Sequence, residues 1–169
     1  MDTYCEYIIK RKKGGKEILA VTGIIILAVI LLIYVPSLVS VVPIIGFLSP
    51  LVAVGIIWGA YKLVVSKNIE FEYTLTGSDM DIDKIINRSS RKRVIAVAKG
   101  EIGVVAPFGS SNLPSLQNVE IIDVSSHKPD ANVYVMTVNK DSMKAIYFEP
   151  SEKILKNLKE RNPRKVYEE

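Results

Sequence analysis

Residues that most often carry catalysis or hold a metal are few in this sequence. His127 is the only histidine and Cys5 the only cysteine, so an intramolecular disulfide and a cysteine-based metal cluster are excluded. The sequence has no His-x-x-x-His pair, no Gly-x-Ser-x-Gly elbow and no glycine-rich phosphate loop. We therefore expect a protein that is not an enzyme and that binds neither a cofactor nor a metal.

Three aspartates, Asp79, Asp81 and Asp83, alternate with apolar residues and so share one side of a predicted strand. Carboxylates in this arrangement could bind Mg²⁺ or Ca²⁺, but a calcium loop also needs a turn and further ligands. A solvated strand face is the interpretation we favour.

Four basic residues form the cluster with the clearest binding chemistry: Arg88, Arg91, Lys92 and Arg93. They lie at a predicted turn between two strands. Grouped cations beside a sheet edge can bind phosphate headgroups or an acidic protein. Two simpler interpretations stay open: ion pairs with the three aspartates, or a patch that keeps the domain on the cytoplasmic side of the bilayer.

Residues 18–61, which precede these candidates, contain no Asp, Glu, Lys, Arg or His. About 20 helical residues cross a hydrocarbon core of roughly 30 Å, so the run is long enough for two crossings. We predict membrane helices at 18–35 and 44–65, joined by a turn within 36–43 where two prolines lie. Pro50 either kinks the second helix or marks its first turn.

Other interpretations of the apolar run are weaker. A cleaved signal peptide would need a shorter core and a small-residue cleavage site. Gly55 and Gly59 are spaced for close helix approach, and we favour packing against the first helix over dimerisation. The run lacks the ionisable groups that ion- or proton-coupled transport requires.

Basic residues flank the run and predict its orientation. The topology residues are Lys10, Arg11, Lys12, Lys13, Lys16 and Lys62. The positive-inside bias then places both termini in the cytoplasm, for a multi-pass protein of the cell membrane. Residues 1–66 carry a net charge of +3 and residues 67–169 a net charge of +1. This distribution explains topology and attraction to membrane lipids better than nucleic-acid binding, which we do not expect.

Residues 1–17 are predicted to be a basic cytoplasmic lead-in at the membrane interface, or simply a topology signal with a frayed start. Acylation of Cys5 is a weaker alternative, because a lone cysteine near a membrane is poor evidence.

After residue 67 the hydrophobic period changes from helical to alternating. Seven strands are predicted, at 69–76, 80–86, 93–99, 102–106, 119–124, 132–138 and 143–148. Ser151 is a suitable N-cap for an amphipathic helix from 152 to about 161, which Pro163 ends. An open sheet edge, with the loop 108–113 as its rim, is a second candidate binding surface.

This order of elements, over 69–161, resembles the pleckstrin-homology superfold in its bacterial PH-like form. The chain is also similar to an uncharacterised family of small bacterial membrane proteins with a two-helix transmembrane hairpin. The matching segments are IIKRK (8–12), DIDKIIN (81–87) with RKR (91–93), and FEP (148–150) through PRKV (163–166). The resemblance implies phosphoinositide binding near a loop between early strands, although bacterial members generally lack it.

We therefore predict a membrane α-helical hairpin plus a mainly-β domain, a PH-like barrel of about seven antiparallel strands with a C-terminal helix. The predicted segments are a lead-in (1–17), two transmembrane helices (18–66), a cytoplasmic PH-like domain (67–162) and a tail (163–169). The expected role is protein interaction or scaffolding with an unknown protein partner. The alternatives are anionic-lipid sensing through 88–93 and an accessory subunit of a membrane complex. The sequence leaves the oligomeric state open.

Overall fold

The computed structural model describes residues 4–37 and 43–168, without the side chains of residues 36 and 43–46. It divides into two units, which are described separately. One unit comprises Met1–Lys12 and Ile69–Glu169, and the other is Lys13–Asn68.

The smaller unit is a pair of helices, α1 (Gly15–Ser37) and α2 (Pro43–Val65). Within them, Gly15–Val35 and Phe47–Val65 are long and apolar enough to cross a membrane. Both predicted helical segments are therefore helices. α2 begins at Pro43, a position that suits proline. Pro50 therefore lies inside the helix rather than in its first turn. Most of the predicted turn, 38–42, lies outside the described residues.

Sheet A contains four antiparallel strands in chain order: β1 (Tyr4–Lys10), β2 (Ile69–Thr76), β3 (Asp79–Ile86) and β4 (Ser90–Val97). The prediction that residues 1–17 form a lead-in was wrong for β1, which pairs with β2 from Tyr4↔Thr76 to Lys10↔Glu70. Cys5 and Ile9 of β1 are buried. The strand could not be recognised from the sequence because its partner follows the apolar run. In sequence, the helix pair is thus an insertion in the larger unit, Met1–Lys12 and Ile69–Glu169, which we call the β-domain.

Sheet B contains β5 (Ile102–Pro107), β6 (Glu120–Asp123), β7 (Tyr134–Asn139) and β8 (Met143–Phe148) in the order β5-β7-β8-β6. An all-antiparallel arrangement was wrong at β6, which runs parallel to β8. The described strands thus form two four-stranded sheets rather than one closed barrel. The connection 108–119 carries the chain from one edge of sheet B to the other, which separates β6 from β5.

The C-terminal helix α3 (Glu152–Arg161) begins as predicted, because the hydroxyl of Ser151 accepts a hydrogen bond from the Ile154 N–H. Ile154 and Leu158 are fully buried in the core. Part of the predicted tail is bound to β5: the Val105 N–H donates to the Lys165 carbonyl, and the Tyr167 N–H donates to the Val105 carbonyl. These bonds place the segment around Val166 along the edge of β5.

The core lies between the two sheets and α3. Its largest fully buried side chains include Tyr73, Ile82, Met136 and Phe148. The Tyr73 and Phe148 rings pack edge to face, 5.9 Å apart. Polar residues that could form a site therefore lie on the outer faces of the sheets and in the connections between strands.

Candidate functional site

The outer face of sheet A carries a network of opposite charges. Arg91 lies 2.8 Å from Glu72, and Arg93 lies 3.0 Å from Asp81 and 3.5 Å from Asp83. These pairs form because the strand register places acidic positions of β2 and β3 beside basic positions of β4. The intramolecular ion pairs considered from the sequence are present, and they engage part of the basic cluster.

The other members of the two predicted clusters have separate surroundings. Arg88, whose side chain is 84% exposed, lies 3.5 Å from Glu70. Lys92 is exposed and faces Lys84 across the β3–β4 register. Asp79 accepts a hydrogen bond of 2.9 Å from the Lys99 N–H. Among the described residues, no three of the His, Cys, Asp and Glu side chains are placed to hold a metal ion.

Glu72 is 1% exposed, although it lies on the outer face. Burial raises its pKa, a hydrogen bond with Glu6 raises it further, and the Arg91 guanidinium opposes both effects. The pKa of Glu6 is lowered by hydrogen bonds from Tyr4 and Glu72. Of the two carboxyls, Glu72 therefore holds a proton more tightly.

An open cleft of about 590 Å³ adjoins this network at the end of sheet A where β1 ends and β2 begins. Its lining residues are Ile8, Lys10, Glu70, Ile85, Arg88, Ser89, Ser90 and Arg91. Basic groups and hydroxyls could bind an anionic group here, but Glu70 faces the same space. The predicted topology residue Lys10 thus belongs to a strand and lines this cleft.

A polar cluster that the sequence did not reveal lies where β1 leaves sheet A. The Arg11 N–H donates to the Ile69 carbonyl over 3.0 Å, and the Lys12 N–H donates to the Ser126 carbonyl over 2.7 Å. The Arg11 guanidinium lies 3.1 Å from Nε2 of His127 and 5.8 Å from the centre of the Phe71 ring. Two of the predicted topology residues, Arg11 and Lys12, are therefore held in place by the β6–β7 connection.

Asp123 organises that connection. It accepts hydrogen bonds from the Ser125 N–H and hydroxyl, and its Oδ2 lies 2.7 Å from Nε2 of His127. Burial acts to raise the pKa of Asp123, but the bonds from Ser125 and His127 outweigh it, so the pKa is lowered. Because the Ser125 hydroxyl bonds the carboxylate and not the imidazole, these three residues do not form a nucleophile relay.

The helix pair contains an apolar groove of about 210 Å³ along the predicted packing residues Gly55 and Gly59. A Cβ added to either glycine would meet no atom within 4 Å among the described residues. The glycines therefore line a groove shared with α1 rather than a close helix contact. Lys16 is exposed near the start of α1, Lys13 is half-buried, and the Lys62 ammonium lies 5.6 Å from the centre of the Trp58 ring.

The predicted rim loop presents one large apolar side chain to solvent. Phe108 is 63% exposed and packs edge to face on Tyr147, with ring centres 5.5 Å apart. Ile121, on the short edge strand β6, is 51% exposed.

Comparison with known proteins gives the family and leaves the chemistry open. Neither a curated protein nor a solved structure matches the chain. The family model described as a bacterial PH-like domain, DUF6106, matches residues 1–168, and so includes β1, the helix pair and α3. The chain therefore belongs to the DUF6106 family of bacterial PH-like domains.

Proposed function

We propose that this protein is a non-enzymatic, membrane-anchored PH-like module that serves protein interaction or scaffolding at the cytoplasmic face of the cell membrane. The observation that carries the proposal is the insertion of the helix pair between β1 and β2. The start of α1 is thereby joined to β1 and the end of α2 to β2, so both candidate membrane-spanning helices are connected to one sheet.

The insertion restricts how the chain can cross a membrane. Lys10 pairs with Glu70, and the Arg11 N–H bonds the Ile69 carbonyl, so the chain leaves and re-enters sheet A at adjacent positions. Both ends of the helix pair must then lie on the same side of a membrane, which requires an even number of crossings. Two spans satisfy this requirement, and the flanking basic residues favour the cytoplasmic side.

The surface of the helix pair supports a membrane environment. Large apolar side chains on both helices are mostly exposed, including Leu19 at 73%, Leu51 at 71% and Phe47 at 89%. Such a surface is unfavourable in water but suits lipid. Cleavage of α1 as a signal peptide would also remove β1, with its buried Cys5 and Ile9. These points favour a permanent anchor.

A combined extraction and labelling experiment tests the anchor and its orientation. In a Cys5→Ser background, Lys140→Cys and Lys156→Cys each place one thiol on an exposed surface of the β-domain. We expect the full-length protein to stay in the membrane pellet after alkaline carbonate extraction. A membrane-impermeant maleimide should label either thiol only after the cells are permeabilised. Release by carbonate, or labelling in intact cells, would contradict the proposal.

Anionic-lipid sensing is the second candidate, and the cleft lined by Lys10, Arg88 and Arg91 is the observation in its favour. It can be tested by attaching an environment-sensitive fluorophore to Ser89→Cys, again without Cys5, in full-length protein in nanodiscs. Lipid contact predicts a salt-sensitive blue shift with anionic lipid, lost on Arg88→Gln, and none from a Lys156→Cys control. Identical spectra in neutral and anionic nanodiscs would eliminate this candidate.

A further inference from the structure

The free edge of β1 differs from the other sheet edges that the structure describes. The Val166 segment covers the edge of β5, β6 has only four residues, and β4 presents the run of Arg91, Lys92 and Arg93. By contrast, β1 keeps seven consecutive regular pairs with β2 and no bulge. Tyr4 and Ile8 of β1 are 59% and 47% exposed. Long, regular, partly apolar edges favour pairing with another strand.

The backbone hydrogen bonds show which groups face this edge. The Arg11 N–H points to Ile69, and so the odd-numbered residues of β1 direct their N–H and C=O groups toward β2. The Lys12 N–H points the opposite way, to Ser126. Glu6, Ile8 and Lys10 therefore direct their backbone donors and acceptors outward, over the free edge.

We infer that the occupant of this edge is the β1 strand of a second copy of the chain, paired antiparallel with Ile8 on the two-fold axis. In this register, Glu6 of each copy lies opposite Lys10 of the other, on the outer face. Glu6 and Lys10 also form hydrogen-bonded backbone pairs in this register, because the N–H and C=O groups of both residues point outward. Opposite charges directly across two strands stabilise the pairing.

Neighbouring registers lack this complementarity. An axis at Glu6 places two carboxylates opposite each other, and an axis at Tyr7 places Glu6 opposite Ile8 and Lys10 opposite Tyr4. An axis at Ile9 places Lys10 opposite Ile8 and leaves Glu6 opposite Lys12, whose N–H already bonds Ser126. An axis at Lys10 opposes two ammonium groups. The charges of β1 thus select one antiparallel register.

This inference rests on the proposed membrane anchor, because confinement to one membrane raises the effective concentration of the two strands. A single pair of edge strands buries little surface for a stable complex in free solution. Dimerisation through β1 would extend sheet A across both copies and give the scaffolding role a defined partner.

Disulfide trapping in native membranes tests the axis. Residues in a hydrogen-bonded antiparallel pair have Cα atoms about 5.5 Å apart, within the range for a disulfide. In the Cys5→Ser background we expect Ile8→Cys to form a covalent dimer on mild oxidation. Ile121→Cys, an equally exposed isoleucine on the β6 edge, is the matched control. Equal trapping of both variants, or trapping of Ile121→Cys alone, would overturn the inference.

Charge reversal tests the register. In the trapping assay, Glu6→Lys alone places a second positive charge opposite Lys10 of the other copy. Lys10→Glu alone places a second negative charge opposite Glu6 of the other copy. We expect each single variant to pair about tenfold more weakly. Differently tagged copies of the two variants, expressed together, should recover pairing, because each interface then contains opposite charges. This recovery would also show that both variants fold, and its absence would contradict the register.

Carbonate extraction of the same membranes separates the two proposals. Protein that washes off refutes the anchor. Protein that stays in the pellet but gives no specific Ile8→Cys dimer leaves the anchor intact and refutes β1 pairing.

Discussion

Among single residues, Tyr73 connects sheet A to two other segments of the β-domain. Its buried hydroxyl donates to the Val124 carbonyl over 2.8 Å and accepts from the Glu149 N–H over 3.3 Å. Burial raises the pKa of the phenol far above its ordinary value. The hydroxyl therefore stays protonated and joins sheet A to the segments that follow β6 and β8.

Replacing Tyr73 with Phe should lower the free energy of unfolding by about 1–3 kcal/mol, because two buried backbone groups lose their partner. Tyr7→Phe is the matched control, since Tyr7 lies on neighbouring β1 and is 39% exposed. Denaturant unfolding of the detergent-solubilised protein, followed by circular dichroism, measures the difference. Equal losses for both variants would show that the Tyr73 hydroxyl is dispensable.

Asp123 predicts a dependence of stability on pH. Its folded-state pKa lies below the ordinary 3.8, so the ionised carboxylate stabilises the fold above that value. This contribution is lost as the pH falls through the lowered pKa. We expect Asp123→Asn to have a lower melting temperature than wild type at pH 7. Below about pH 3.8 this difference in melting temperature should become smaller.

The exposed Asp130 lies in the same β6–β7 connection and provides the control. Asp130→Asn should leave the melting temperature nearly unchanged at both pH values. If the difference in melting temperature between Asp123→Asn and wild type stays the same at both pH values, the ionised Asp123 carboxylate does not stabilise the fold.

At the scale of secondary-structure elements, the β5–β7 pair depends on a close approach at Gly103. The pairing register shifts between Ile102 and Val105, and the Thr137 hydroxyl lies in the gap, accepting a bond of 2.7 Å from the Val104 N–H. A Cβ on Gly103 would overlap this hydroxyl and lie 3.1 Å from the Thr137 carbonyl oxygen. Moving the hydroxyl would break its hydrogen bond with the Val104 N–H, and moving the carbonyl would disturb the backbone of β7.

Gly103→Ala should therefore destabilise the protein by about 1–3 kcal/mol. Gly100→Ala is the matched control, because a Cβ there meets no described atom within 4 Å, and it should change stability by less than about 0.5 kcal/mol. Chemical denaturation of both variants makes the comparison. Equal stability would show that β5 can shift to accommodate the methyl group.

The elements that could be predicted from sequence are those whose pattern is local. Alternation from Ile69 onward, glycine and proline at the turns, and the Ser151 cap all act over a few residues, and β2 to β8 and α3 lie close to the predicted segments. β1 was missed because its alternation is short and includes the exposed Ile8, while its partner follows the helix pair.

The candidate site was less predictable, because it depends on which strands become neighbours. The four basic residues of the cluster and the three aspartates were identified from the sequence, but Glu70 and Glu72, which pair with two of the arginines, were not. The Arg11–His127 contact joins residues from opposite ends of the β-domain. A lone histidine in a loop carries no signal for such a contact.

For the whole molecule, the insertion predicts that the β-domain can fold without the helix pair. A short glycine–serine loop from Lys12 to Ile69 would join chain ends that already lie together, since the Arg11 N–H bonds the Ile69 carbonyl. A short surface loop adds little entropic cost. We expect a soluble protein with dispersed amide resonances in its NMR spectrum.

The matched control deletes residues 1–68, and so removes β1 as well. That variant leaves one edge of β2 unpaired and exposes apolar residues such as Phe71, and we expect it to aggregate. If the deletion variant is the better folded of the two, β1 is not an integral strand.

Placing the first strand ahead of the helix pair also sets an order of events during synthesis. The nascent β1 leaves the ribosome before its partner exists, and at about 5–20 residues per second β2 follows several seconds later. In that interval both helices would enter the lipid if they form the proposed anchor. Translation of the helix pair therefore precedes closure of sheet A, and β1 stays unpaired and accessible to quality-control proteases until β2 emerges.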